Sequence, residues 1–224
     1  MHQSASTHAL SPMRFLSVRT VGILPALLAA ALMLSACGPE APKFKGSDVT
    51  GSAFGRDFAL VDFDGKPRTL ADYRGKAVVL FFGYTQCPDV CPTTLSTLAE
   101  AMKQLGPDAD RVQAVFVSVD PERDTAELLK EYVPAFDPRF VGLRGDAAQT
   151  EAVAKEFRII FQKVPGRTPE TYTVDHSAGI FLFDPAGRLR VYEGHGQPPD
   201  VLAHDIRLLL KSGRSGSVKS GSEP

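Results

Sequence analysis

Apolar positions along this chain fall into runs of two kinds. Ala77–Tyr84 (AVVLFFGY) and Val112–Val119 (VQAVFVSV) are short, largely apolar and rich in β-branched and aromatic residues. Such runs suit strands buried on both faces, which implies a parallel sheet covered by helices. Elsewhere the period changes. Phe58–Phe63 alternates, turns at Asp64-Gly65 and returns through Arg68-Thr69-Leu70, the pattern of a short hairpin. Ile180–Phe183 and Leu189–Tyr192 flank the turn Asp184-Pro185-Ala186-Gly187 and predict a second hairpin. Ile159–Lys163 and Thr171–Val174 predict a strand pair around the Pro165–Pro169 loop. Helical spacing follows Cys91 as far as Gly106-Pro107. It recurs over Thr125–Tyr132 with Asp124 as N-cap, over Ala147–Phe157 with Asp146 as N-cap, and over about Pro198–Leu210. In the last, Leu202, Ile206 and Leu209 or Leu210 share one face.

Strand, helix, strand, helix, then a hairpin and a final helix make a βαβ unit followed by ββα. That order predicts an α/β protein with a thioredoxin-like fold, a central mixed sheet covered by helices on both faces. It also puts the segment after Tyr84 at the carboxyl end of a central strand, where open α/β sheets build their sites.

Composition narrows the class. With 43% hydrophobic and 23% charged residues in 224, the chain has the balance of a soluble globular protein. A formal charge of −1 leaves no basic footprint for nucleic acid. The ends differ from the middle. Residues 1–36 lack Asp and Glu, carry Arg14 and Arg19, and hold the apolar stretch Val21–Leu34, too short for a comfortable membrane span. Leu34-Ser35-Ala36-Cys37 resembles a bacterial lipobox, which implies cleavage of a signal peptide before Cys37 and acylation of that cysteine. The expected organisation is a signal peptide over 1–36, a linker over 37–52 from the lipidated Cys37, one domain over 53–211 and a disordered tail over 212–224. The product would be exported and held by lipid at the periplasmic face of a membrane. Gly38-Pro39 lacks an acidic retention signal, which favours the outer membrane.

With Cys37 lipidated, Cys87 and Cys91 remain as thiols. They sit four apart in Cys87-Pro88-Asp89-Val90-Cys91-Pro92. Residues i and i+4 of a helix share a face, so the pair suits either a chelate or a disulfide. A helix N-terminus also lowers thiol pKa values. Pro88 helps start that helix, while Pro92 limits its regularity. A disulfide closing so short a loop adds little stability, which weakens a purely structural reading. Three histidines follow the signal. His176 leads into the Ile180 strand, which faces the first βα turn; His195 lies in a surface loop, and His204 lies inside the last helix where capping or packing explains it. Two thiolates and an imidazole suit copper, and zinc with water as a fourth ligand remains open on spacing alone. Met102 reads as core.

Phe81-Phe-Gly-Tyr-Thr-Gln-Cys87-Pro-Asp-Val-Cys91-Pro, then Ser118-Val-Asp120-Pro-Glu-Arg-Asp124-Thr, then Val174-Asp-His176-Ser, in that order, resemble the Sco/SenC family of thioredoxin-like copper-binding proteins that help assemble cytochrome c oxidase. The resemblance covers about Phe58 to Leu210. It implies Cys87, Cys91 and His176 as copper ligands, with Asp120 and Asp124 shaping their surroundings. It also implies cytochrome c oxidase subunit II as recipient, a copper donor and a thiol reductant as further partners, and copper, Cu(I) or Cu(II), as the bound ion. A non-enzymatic assembly role is the main expectation. The alternative is a thiol–disulfide oxidoreductase using Cys87 and Cys91 as its redox pair. Against it, reductases of this fold carry C-x-x-C, and Thr173–Phe183 lacks the proline they place before the facing strand. A peroxidase fits less well, because Thr85 stands only two residues before Cys87.

Overall fold

A computed structural model describes residues 42–168 and 171–217, with side chains described to residue 212. The expected signal peptide and Cys37 lie outside the described residues, as do residues 218–224 of the expected tail.

Ten strands and four α-helices appear among the described residues: β1 (Ser47–Asp48), β2 (Leu60–Asp62), β3 (Pro67–Arg68), β4 (Ala77–Gly83), α1 (Val90–Leu105), β5 (Val112–Ser118), α2 (Ala126–Tyr132), β6 (Val141–Arg144), α3 (Ala147–Phe157), β7 (Phe161–Val164), β8 (Thr173–His176), β9 (Ile180–Phe183), β10 (Leu189–Glu193) and α4 (Pro199–Ser217). Eight strands form one mixed sheet in the order β1-β10-β9-β4-β5-β6-β2-β3. The centre is parallel, with Ala77 opposite Val112 and Phe82 opposite Val117. Strand β9 runs antiparallel on the other side of β4. Every residue of β4 is buried, as its unbroken apolar run requires. The fold is therefore the thioredoxin-like α/β arrangement that the element order predicts.

Alternation along β4 sorts the core into two layers. Phe82 packs edge-on to Phe157 of α3 and to Phe181 of β9. Phe81 turns to the other face, against Phe116. Helices α1 and α4 pack against each other. Among the described residues no helix is long and apolar enough to cross a membrane.

Several boundaries differ from the sequence pattern. Helix α1 starts at Val90 with Asp89 as N-cap, so Cys87 and Pro88 precede it. Pro92 then occupies the first turn, where a missing N–H costs nothing because that group has no intrahelical acceptor. The N-cap of α2 is Thr125, whose hydroxyl accepts from Leu128 N at 3.2 Å; Asp124 points inward instead. Strand β6 was not evident in the sequence. Helix α4 continues to Ser217, so residues 212–217 of the expected disordered tail are helical. Polar composition reports burial rather than backbone conformation, and an existing helix propagates at little cost. Asp146 does cap α3, in a reciprocal pair with Gln149.

Candidate metal centre

Three segments converge where β4 ends. The loop after β4 carries Cys87, the first turn of α1 carries Cys91, and the last residue of β8 is His176. Strand β8 pairs only with β7, in a two-stranded sheet of its own with Phe161 opposite His176. The histidine therefore sits on a small arm, not on the main sheet.

The three ligand atoms lie within 4.8 Å of one another, and no other group of three or more such side chains gathers in this way among the described residues. Both cysteines are free thiols. His176 Nε2 stands 3.5 Å from Cys91 Sγ. A metal bonded to sulfur at about 2.3 Å and to nitrogen at about 2.0 Å, at a tetrahedral angle, separates those two atoms by about 3.5 Å. The geometry thus fits a shared ion with almost no movement of that pair. The site opens on a cleft of about 360 Å³ lined by Tyr84, Cys87, Val90, Val174 and His176 among others. A soft ion can enter there, and an incoming thiolate can reach it.

Each ligand is held by its neighbours. Nδ1 of His176 lies 3.0 Å from the Ser177 carbonyl oxygen. A carbonyl only accepts, so Nδ1 carries the proton and the Nε2 lone pair faces the sulfurs. The ring stands edge-on to Phe81 and Tyr84. Burial lowers its pKa below the ordinary imidazole range, which keeps it neutral and able to ligate. Cys91 is fully buried. Burial first, then the nearby Cys87 sulfur, pushes its thiol well up from the usual range. The expected lowering by the helix N-terminus loses to desolvation at this position. The Cys91 N–H, one of the orphan donors of the first turn, donates to Cys87 Sγ at 3.4 Å. That contact fixes the two sulfurs relative to each other.

Carboxylates hold the loop from below. Asp124 is fully buried and accepts from Ser118 Oγ at 2.6 Å, Thr85 Oγ1 at 2.6 Å and Thr85 N at 3.2 Å. Burial raises its pKa despite these donors. Asp120, also buried, pairs with Arg123 and accepts from the Tyr172 hydroxyl at 2.7 Å. Both aspartates thus surround the centre without entering it. The Tyr172 hydroxyl is pushed up to about 12 by burial and by that bond, so it stays a donor.

Neither remaining histidine joins the group. His195 is exposed between β10 and α4, and His204 bonds to its neighbour Asp205. Met102 lies in the core. Sequence reasoning missed Gly83, Arg123 and Tyr172. The first had a signal, a glycine inside an otherwise bulky buried run; the other two had none in local pattern.

Comparison with known proteins agrees with this geometry. The sequence profile described as SCO1/SenC matches residues 47–211. The mitochondrial SCO2 homolog of Mus musculus is 39% identical over 153 residues, covering 67% of this chain and 60% of that protein. The SCO2-like protein of Rickettsia felis is 33% identical over 186 residues, covering 81% of this chain and 91% of that protein. Among solved structures, Bradyrhizobium japonicum ScoI with copper bound is 43% identical, with a TM-score of 0.65, covering 70% of this chain and 100% of that one. Arabidopsis thaliana ScoI with copper bound is 35% identical with a TM-score of 0.67, covering 71% and 99%. The chain spans about 60% of the length of the mammalian relatives it matches.

Proposed function

This chain belongs to the SCO1/SenC family, and from that premise we propose that it is a copper-delivery protein acting in cytochrome c oxidase assembly. The observation that carries the reading is the convergence of Cys87, Cys91 and His176 within 4.8 Å of one another at the mouth of a cleft. Copper is the cargo. The Cys87 and Cys91 sulfurs and the neutral Nε2 of His176 are a soft donor set that suits Cu(I) and tolerates Cu(II). Two related proteins have been solved with copper bound, which supports copper over zinc here.

The recipient is the dinuclear copper centre of oxidase subunit II. Delivery by ligand exchange suits three donors at a cleft: a recipient thiolate replaces Cys87, the more exposed sulfur, before Cys91. Because a disulfide has no thiolate to offer, a partner reductant keeps the pair reduced, and a separate donor supplies the ion. Cys37 anchors the exported chain by lipid to the periplasmic face of a membrane; residues 42–52 belong to the domain and not to the expected linker, since β1 pairs with β10 and Lys45 and Gly46 bond to Asp205.

Incubating the copper-loaded chain with the apo soluble domain of subunit II tests this directly. Appearance of the dinuclear centre's spectrum, with copper lost from this chain, is expected. The oxidoreductase alternative predicts instead that the copper-free dithiol reduces the subunit's disulfide catalytically and that loading with copper stops it. That pattern, without copper transfer, would overturn the delivery reading.

A further inference from the structure

The arm that carries His176 meets the rest of the molecule at Tyr172 through one largely buried guanidinium and through the tyrosine's own hydroxyl. Arg123 Nε donates to Asp120 Oδ2 at 2.5 Å, and Nη1 donates both to the Tyr172 carbonyl at 2.8 Å and to Gln86 Oε1 at 3.1 Å. The same guanidinium lies over the Tyr172 ring at 3.6 Å and over the Tyr84 ring at 5.7 Å. Tyr172 closes the circuit by donating its hydroxyl to Asp120. Gln86 adjoins Cys87, Asp120 follows β5, and Tyr172 immediately precedes β8. One side chain therefore ties together the cysteine loop, the end of the central strand and the root of the histidine strand.

We infer that Arg123 is a positioning residue for copper binding, fixing the β7–β8 arm so that His176 reaches the ion held by the two sulfurs. The inference deepens the delivery reading and rests on it. Among the described residues strands β7 and β8 hydrogen-bond as a ladder only to each other, so no ladder of the main sheet sets their position, although Val174 of β8 packs into the core. The flanking pair Lys163–Glu122 at 2.6 Å is largely exposed and weak. Stability alone is a poor reason for the arrangement. Arg123 Nη2 is buried without an acceptor among the described residues, which costs free energy. What the planar fork offers is direction: several donors aimed at three segments at once, which a lysine ammonium does not reproduce.

The test is Cu(I) affinity of the reduced full-length chain, measured by competition with a chromogenic chelator, in a double-mutant cycle. Arg123→Met is expected to weaken binding by about 10–100-fold, the usual effect of removing a residue that orients a ligand. In the His176→Ala background the same change is expected to have no further effect, because there is no imidazole left to position. Arg123→Lys is expected to behave like Arg123→Met. Equal losses with and without His176, or no loss in either, would overturn the inference. If Arg123→Met does not fold, Tyr172→Phe carries the same comparison, with a smaller loss that must again vanish without His176. His176→Ala weakening binding while Arg123→Met does not would sink the clamp alone. A parent chain that binds no Cu(I) would sink the delivery reading with it.

Discussion

Cys91 has room for its sulfur because residue 83 has no side chain. A Cβ on Gly83 would lie 2.9 Å from Cys91 Sγ and 2.7 Å from a ring carbon of Phe116. The surrounding residues are buried and close-packed, so the clash has nowhere to go. Gly83→Ala is expected to destabilise the fold by about 1–3 kcal/mol, the cost of overpacking a core. It should also weaken Cu(I) binding, since the sulfur moves relative to His176. Thermal unfolding and chelator competition on the same preparation check both parts, and a variant with unchanged affinity would show that the sulfur's position is not set there. The three side chains that gather at the candidate centre were legible at this scale. Two thiols four apart and a histidine before a facing strand are a pattern of identities, and identities are what a sequence states. Arg123 and Tyr172 were not legible, because whether a charged side chain is buried depends on which distant segments meet around it.

Elements were readable where one physical rule acts alone. The apolar runs of β4 and β5 could only be buried strands, and the reciprocal bonds of Asp146 and Gln149 mark the start of α3 as the pattern implies. Where two rules compete, tertiary structure decided. Asp124 and Thr125 are both good N-caps. Ser118 and Thr85 draw the Asp124 carboxylate into the interior, which leaves Thr125 to cap α2. Strand β6 is four residues long and contains Gly142, too little periodicity to register. Its glycine is explained by packing: a Cβ there would meet Val133 at 3.2 Å and Leu129 at 3.3 Å. The arm strands β7 and β8 pair as expected but each begins two residues further along, and β8 also ends two residues later, which places His176 at the end of a strand instead of in a loop. That shift gives the imidazole a defined backbone.

At the scale of the molecule, the chain from residue 42 is tied to the sheet edge over a buried acidic pair. Strand β1 pairs with β10, and the main-chain N–H groups of Lys45 and Gly46 donate to the Asp205 carboxylate of α4. His204 Nδ1 lies 2.6 Å from Asp205, and the Lys45 ammonium pairs with Asp200 nearby. Glu193 of β10 is fully buried, and no protein donor among the described residues reaches its oxygens. A proton held on Glu193 supplies the missing bond to Asp205. Burial, with that carboxylate beside it, pushes Glu193 from 4.5 up to about 7. Between those values the folded chain holds more protons than the unfolded one, so stability contributed here is present at low pH and is lost as pH rises toward 7. Glu193→Gln is therefore expected to gain stability over the parent as pH rises from 5 to 8, by up to about 3 kcal/mol at roughly 1.4 kcal/mol per pKa unit. Denaturant unfolding at several pH values checks this, and parallel profiles for the two chains would contradict it.

The central claim is that one imidazole and two sulfurs, brought from three parts of the chain, hold the same ion. The most direct measurement is the visible and paramagnetic resonance spectrum of the reduced chain with one equivalent of Cu(II), taken beside His176→Ala. The account predicts an intense thiolate-to-copper charge-transfer band in the parent, with nitrogen hyperfine coupling that disappears in the variant. A variant spectrum identical to the parent's, or a parent with no charge-transfer band, would contradict it.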